Sequence, residues 1–191
     1  DYAYVLNAAR RLRETDHALQ HAIDNASALG DLAELATLTS NRATVKGNLG
    51  QVAEALALAE QSLALQDQLG ATNGPEGAVV MTYVGLYCAA VGRYGDALER
   101  LDAAIACFER DKQALWTAVA SNHKVQVLLD LGQLARARQA LAYAPPPIGH
   151  VRARGAMLAA RVERALGHSG HEAMALALDN LSPGADPHVR M

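Results

Sequence analysis

Apolar and small residues recur at spacings of three and four along most of the chain, which is the spacing of one face of an α-helix. The clearest stripe lies within residues 94–110 and consists of Tyr94, Ala97, Leu98, Leu101, Ala104, Ile105 and Phe108. The pattern predicts at least nine helices paired as five antiparallel hairpins, at 3–12/15–29, 31–49/52–69, 76–91/94–110, 112–131/134–143 and 150–166/170–181. Proline and glycine at 72–75 and 145–147 break the chain between hairpins.

The hairpins share a signature in which a glycine is followed five residues later by an alanine. The pairs with this spacing are Gly50 and Ala55, Gly92 and Ala97, and Gly132 and Ala137. A looser pair, Gly167 and Ala173, is six residues apart, and a weaker version joins Arg13 to Ala18. The five alanines are 37, 42, 40 and 36 residues apart. A period of this size is typical of stacked helical hairpins, where a small side chain lets two helices approach closely.

Glycine and aspartate also mark the ends of the predicted helices. The glycines expected to take the left-handed conformation that ends a helix are Gly30, Gly50, Gly92, Gly132 and Gly167. Asp31 follows the first of them and is a suitable N-cap for the next helix.

Together these residues resemble the tetratricopeptide repeat. The third hairpin matches best, through Gly85, Gly92, Tyr94, Ala97, Leu101 and Ala104. The second offers Ala43, Gly50, Val52, Ala55, Ala59 and Ser62, and the fourth offers Gly132, Leu134, Ala137 and Leu141. The resemblance covers roughly residues 30–167. The chain departs from the family in lacking its early tryptophan and most of its helix-ending prolines, and in its longer period. The resemblance implies an all-α, right-handed superhelix of about five antiparallel helical hairpins over residues 1–182, and 183–191 reads as a flexible tail.

The resemblance also implies a class of function. Long repeats of this kind are similar to those in bacterial signal-transducing ATPases and transcriptional activators, and to kinesin-light-chain-like arrays. The expectation is therefore a bacterial, cytoplasmic scaffold that binds a protein or peptide, is not an enzyme, and belongs to a larger regulatory protein. The alternative is a sensor arm of a transcriptional regulator that binds a small effector. The start at Asp1 suggests a piece of a longer protein or N-terminal processing.

Charge and composition limit the classes of partner that the sequence favours. The 191 residues carry a net charge of −3 with a pI of about 6.2, so bulk electrostatics do not favour direct nucleic-acid binding. No apolar run approaches the roughly 20 residues that span a bilayer, and no signal peptide is visible. The two cysteines, Cys88 and Cys107, are compatible with a reducing cytosol and are expected to be reduced core residues.

The sequence offers little chemistry, and no catalytic, cofactor or metal residue is predicted. Ser121 and Lys124 spell Ser-x-x-Lys, but the companion motifs of acyl-enzymes are missing. His17, His21 and Asp24 share a helix face with metal-ligand spacing, which we expect to be solvated. His168 and His171 flank a turn and are expected to be loop residues.

A partner-binding surface is predicted on the inner helices of the last two hairpins, because the family's first helices line its concave face. The candidate residues are Asn122 and Gln126 in the fourth hairpin, and Arg154, Met157, Arg161 and Arg164 in the fifth. Arginine binds carboxylates through two parallel hydrogen bonds and amides can fix a peptide backbone. An acidic or C-terminal carboxylate group would suit this surface. The alternative is a solvated face, with the arginines paired to Glu163 or Asp130.

The last predicted helix spreads its apolar residues over more than one face. These are Met174, Leu176, Leu178 and Leu181. A helical array needs polar ends to stay soluble, so we expect this surface to be covered by self-association through the terminal helices or by a neighbouring domain. The alternative is a locally closed end with modest leucine exposure.

Overall fold

The computed structural model describes residues 2–141, 149–171 and 174, which form helices joined by short turns. The eight helices are α1 (Tyr2–Leu29), α2 (Leu32–Asn48), α3 (Val52–Gln68), α4 (Pro75–Ala90), α5 (Tyr94–Arg110), α6 (Ala114–Asp130), α7 (Leu134–Ala140) and α8 (Gly149–Ala165). No strand occurs within these ranges, so the all-α prediction is confirmed. Helices α2 to α6 and α8 begin and end within about two residues of the predicted positions.

The first predicted hairpin is wrong, because α1 continues through the predicted turn at residues 13–14. No glycine or proline stands at that point to end the helix. Instead, Arg10 Nε and Glu14 Oε1 form an ion pair of 2.8 Å across it, and Thr15 Oγ1 donates to the Arg11 carbonyl at 2.8 Å. Ala18 is accordingly exposed and is not an interhelical contact. The last predicted helix, at 170–181, lies largely outside the described residues.

The helix ends follow the predicted turn chemistry. All five predicted glycines have positive φ, from 69° at Gly132 to 84° at Gly167. The Asp31 side chain accepts a hydrogen bond from the Glu34 backbone N–H at 3.0 Å, which confirms it as the N-cap of α2. At the end of α5 the same conformation is taken by Lys112, with φ of 55°, so this turn carries no glycine signal in the sequence.

The chain divides into two compact units, residues 1–100 and 101–191, with the boundary inside α5. In the first unit α1 packs on α2, α2 on α3, and α3 on α4. Ala55 and Ala97 are fully buried, as the repeat signature predicts. Tyr87 also crosses from α4 to α2, where its hydroxyl donates to the Ala43 carbonyl at 3.2 Å. Its ring lies where a side chain at Gly47 would otherwise stand.

Half-buried charges tie α1 to α2 in the same unit. Asp16 Oδ1 lies 2.8 Å from Arg42 Nε, and its Oδ2 lies 3.0 Å from Lys46 Nζ. Lys46 Nζ also pairs with Glu54 Oε2 of α3 at 3.0 Å. Burial alone would raise the pKa of the Asp16 carboxyl, but the hydrogen bonds from Arg42 and Lys46 bring this pKa below its usual value.

In the second unit α6 packs on both α7 and α8, and α7 packs on α8. Ala137 of α7 is fully buried, again as the signature predicts. The Phe108 and Trp116 rings stack with their centroids 5.9 Å apart. Arg138 Nε of α7 pairs with Glu163 Oε1 of α8 at 3.0 Å. This packing fixes the α8 surface that carries the predicted site.

Candidate functional site

Helix α8 places the four predicted arginine and methionine residues on one exposed stripe. Arg154, Met157, Arg161 and Arg164 are all exposed, Met157 to 47%. Val151, Leu158 and Val162 of the same helix are buried. The spacings of three, four and three residues therefore put the basic residues on the solvent side, as the helical period predicts. We call Arg154, Met157, Arg161 and Arg164 the arginine stripe.

Gln126 of α6 joins the stripe through a hydrogen bond. Its Oε1 accepts from Arg161 Nη1 at 2.6 Å, and its Nε2 donates to Asp130 Oδ1 at 2.6 Å. This chain of side chains holds one guanidinium group in place while leaving its other nitrogens available. Within residues 2–141, 149–171 and 174, Arg154 and Arg164 make no hydrogen bond or ion pair through their side chains. Glu163, a predicted alternative partner, pairs with Arg138 instead.

Asn122 lies beneath this surface and not on it. The side chain is buried, and its Nδ2 donates to the Val151 carbonyl at 3.2 Å. The bond joins α6 to the first turn of α8. Carbonyl groups at the start of a helix already accept hydrogen bonds within the helix, so the Val151 carbonyl does not depend on Asn122 for a partner. The main effect of the bond is therefore to fix the position of α8 against α6.

A cavity of about 330 Å³ adjoins the C-terminal part of the arginine stripe. It is lined by Arg161, Arg164 and Ala165 of α8 together with Leu129 and Leu134. Volumes of this order suit small ligands or a single large side chain. The sequence alone carries no signal for this cavity. The two leucines flank the Gly132 turn, and only packing shows that the turn lies against the end of α8.

His123 is the one described titratable group of this region with a strongly shifted pKa. Burial lowers the pKa of its imidazole, and the positive charge of Arg154 lowers it further, to about 4. The ring is therefore neutral near pH 7.

Among the described residues, the other sequence candidates form no catalytic arrangement. Ser121 is buried, and Lys124 Nζ pairs with Asp102 Oδ1 at 2.5 Å. His17 and His21 are exposed, as predicted, and Asp24 accepts a hydrogen bond from Gln20. His168 and His171 are exposed, and Cys88 and Cys107 are buried free thiols. In the described part of the chain no three potential metal ligands come together.

Comparison with known families decides the class of the repeats. Residues 34–110 match the family described as the tetratricopeptide repeat. The match supports the tetratricopeptide repeat as the class of these residues. The match covers α2 to α5 and includes the second and third hairpins, on which the predicted resemblance chiefly rested. Tetratricopeptide repeats generally mediate protein–protein interactions, and such solenoids are typically scaffolds.

Among solved structures, the chain is similar to the crystal structure of BtubC (BKLC) from P. vanneervenii. The two share 16% sequence identity, the alignment covers 94% of this chain and 73% of that one, and the TM-score is 0.71. The likeness shows a shared helical-repeat fold. It extends beyond residue 110 and so includes the α6–α8 region. No relative was found among the curated proteins. None of the helices described is long and apolar enough to cross a membrane.

Proposed function

We propose that this chain is a protein- or peptide-binding scaffold, and that its arginine stripe binds an acidic segment or a free C-terminal carboxylate. The observation that carries the proposal is the exposure of Arg154 and Arg164 without a carboxylate partner among the described residues. A helix surface of this size normally intersperses both signs of charge. Three guanidinium groups on one face of one helix therefore favour an anionic partner.

The surroundings of the stripe support a peptide ligand. Gln126 holds Arg161 in one orientation, which lowers the conformational entropy that binding would otherwise cost. Met157 gives the stripe an apolar, adaptable contact between two arginines. The cavity beside Arg164 offers Leu129 and Leu134 to an apolar side chain. In this proposal Asn122 acts as a positioning residue, because it fixes α8 through the Val151 carbonyl.

Isothermal calorimetry with defined peptides tests the proposal. The probe is an acetylated tetrapeptide of glycine, two glutamates and leucine with a free carboxylate. Its comparison is the glutamine version with an amidated C-terminus. The Arg154→Ala/Arg161→Ala double variant should weaken binding of the acidic probe by about 2 kcal/mol, or roughly 30-fold, if the pairs are desolvated. Binding of the neutral peptide should be weak in both proteins.

The matched control is Arg10→Ala/Arg11→Ala, which removes the same charge from exposed positions on α1. It should retain the affinity for the acidic probe. An unchanged affinity in the stripe variant, with helicity intact by circular dichroism, would contradict the proposal. An equal loss in both double variants would also contradict it, because bulk charge would then explain the binding.

The second candidate function is a small-effector sensor within a larger bacterial regulator. The observation in its favour is the cavity of about 330 Å³ with two arginines beside leucine and alanine side chains. Such a lining suits a small carboxylate with an apolar tail. Calorimetry with 4-methylpentanoate separates the candidates. Tight binding of this acid, together with no binding of the acidic peptide, would favour the sensor.

A further inference from the structure

A second, larger cavity of about 520 Å³ lies within residues 1–100, among α3, α4 and the start of α5. Its volume falls within the range of about 300–1,000 Å³ that is usual for ligand sites. None of its lining residues belongs to the arginine stripe, so the surface is distinct from the one assigned above. Its buried lining residues are apolar or carry a thiol, whereas its exposed lining residues, here called the rim, are mostly charged.

The buried residues of the cavity lining are apolar or carry a thiol. Val84 and Cys88 of α4 are 2% and 1% exposed, and Leu63 of α3 lies beside them. The Cys88 thiol makes no hydrogen bond with any described residue. Burial raises the pKa of this thiol, so it stays protonated near neutral pH. The buried part of the lining is therefore apolar apart from one neutral, weakly polar group.

The rim is acidic. Four carboxylates and two guanidinium groups line the cavity, which leaves a local net charge of −2. Arg93 is already engaged on both sides, with its Nη1 3.0 Å from Glu60 Oε1 and its Nε 2.7 Å from Asp96 Oδ2. Glu60, Asp96 and Arg93 together retain one negative charge, and the remaining lining charges, Asp67, Glu99 and Arg100, retain the other.

Asp67 and Glu99 are the two lining carboxylates that make no ion pair with a described residue. Asp67 Oδ1 accepts a hydrogen bond from Thr72 Oγ1 at 3.3 Å, and Glu99 makes no ion pair with another described residue. A carboxylate has about four lone-pair sites, so both groups retain acceptor capacity. They come from different helices, Asp67 from α3 and Glu99 from α5.

We propose that this cavity binds the alkylammonium side chain of a lysine presented by a protein partner. The apolar wall would pack against the methylene stem, and the rim carboxylates would accept hydrogen bonds from the charged end. An ammonium group has three rotatable donors and can contact carboxylates on separate helices. The planar guanidinium fork is better matched to one carboxylate at a time. Charge complementarity thus selects a basic partner segment.

Cys88 itself reports on the cavity. In a Cys107→Ser variant it is the single thiol of the chain, and it can be titrated with methanethiosulfonates of opposite charge. The deprotonated Cys88 sulfur attacks the reagent and forms a mixed disulfide, while methanesulfinate leaves and the thiol proton passes to solvent. Rates for aminoethyl and sulfonatoethyl reagents are each divided by their rates with glutathione. The corrected ratio should favour the cation about tenfold at low salt and fall towards one in 1 M salt.

Two variants assign this selectivity to the rim. Asp67→Asn/Glu99→Gln should bring the corrected ratio close to one. The matched control Asp24→Asn/Glu34→Gln removes two exposed carboxylates elsewhere and should preserve it. Circular dichroism shows whether each variant retains its helicity. The salt series in the Cys107→Ser parent tests the electrostatic origin of the selectivity without relying on the rim variants. A corrected ratio near one in the parent, or no reaction of folded Cys88 with either reagent, would overturn the proposal.

Protection of Cys88 identifies the occupant. The probe is an acetylated and amidated pentapeptide with lysines at its second and fourth positions, and its control carries acetyl-lysine at both. The lysine peptide should slow Cys88 modification at least threefold, and the acetylated peptide should not. Protection by free 1,5-diaminopentane without protection by the lysine peptide would overturn the assignment to a protein partner. Equal protection by both peptides would remove the role of the ammonium group.

Discussion

Acidification from pH 7 to pH 5 should destabilise residues 101–191 through His123. Burial and the charge of Arg154 lower the pKa of this imidazole from 6.5 to about 4 in the folded chain. The unfolded chain binds a proton below pH 6.5, whereas the folded chain resists protonation until about pH 4. Stability is therefore retained above pH 6.5 and falls as the pH drops towards the folded pKa.

The size of the effect follows from the two pKa values. Between pH 7 and pH 5 the difference in proton binding corresponds to about 2 kcal/mol of unfolding free energy. The loss should approach about 3 kcal/mol near pH 4, where the folded imidazole also begins to protonate. With a urea m-value of about 1–3 kcal/mol/M, a loss of 2 kcal/mol shifts the midpoint by about 1 M.

Tryptophan fluorescence provides a local assay. Trp116 is the single tryptophan and stacks on Phe108 in the same unit as His123. Urea titrations followed at this residue should show the midpoint falling between pH 7 and pH 5. In His123→Gln the pH-dependent part should shrink by about 2 kcal/mol. His168→Gln, a substitution at an exposed histidine, should keep the wild-type dependence.

An unchanged pH dependence in His123→Gln would refute the role of this imidazole. Comparing each variant with itself at two pH values removes any general loss of stability that the substitution causes. If His123→Gln does not fold, the imidazole of the wild-type chain can be titrated by NMR. An apparent pKa above 6 for His123 would refute the argument directly.

Two substitutions test the close helix contacts of the first unit. Ala97→Leu should lower the free energy of unfolding by about 1–3 kcal/mol, because Ala97 is fully buried and a larger side chain would overpack the contact. The control is Ala53→Leu at an exposed position of α3. Equal urea midpoints for the two variants would contradict the prediction. Gly47→Ala should destabilise by a similar amount, since the new Cβ would lie 2.6 Å from the Tyr87 hydroxyl oxygen; calorimetric melting measures this, and a stabilised or unchanged protein would contradict it.

The repeat signature predicts most of the fold because both of its residues have a local physical role. Glycine takes the positive φ at all five predicted helix ends, and alanine fills the contact where Ala55, Ala97 and Ala137 are fully buried. The same reasoning fails at α1, where the Arg13 and Ala18 pair has no glycine. A helix boundary proposed from spacing alone carries no physical reason for the chain to turn there.

The candidate sites show a different limit. The helical period places Arg154 and Arg161 on one exposed stripe, but Asn122 belongs to the buried contact between α6 and α8. On α6 two positions in the same stripe, Asn122 and Gln126, differ because only the first lies beneath the start of α8. The distinction depends on how two helices cross. Periodicity within a single helix does not contain that information.

Local charge also matters more than net charge for partner choice. The chain carries a net charge of −3, which argues against bulk electrostatic attraction to nucleic acid. This total averages over two surfaces of opposite sign, the arginine stripe and the cavity rim around Asp67 and Glu99. Exposed charges act over about one Debye length, roughly 8 Å at physiological salt. Each proposal therefore rests on the local sign of charge at its own surface: an acidic segment is proposed for the arginine stripe and a basic segment for the cavity rim.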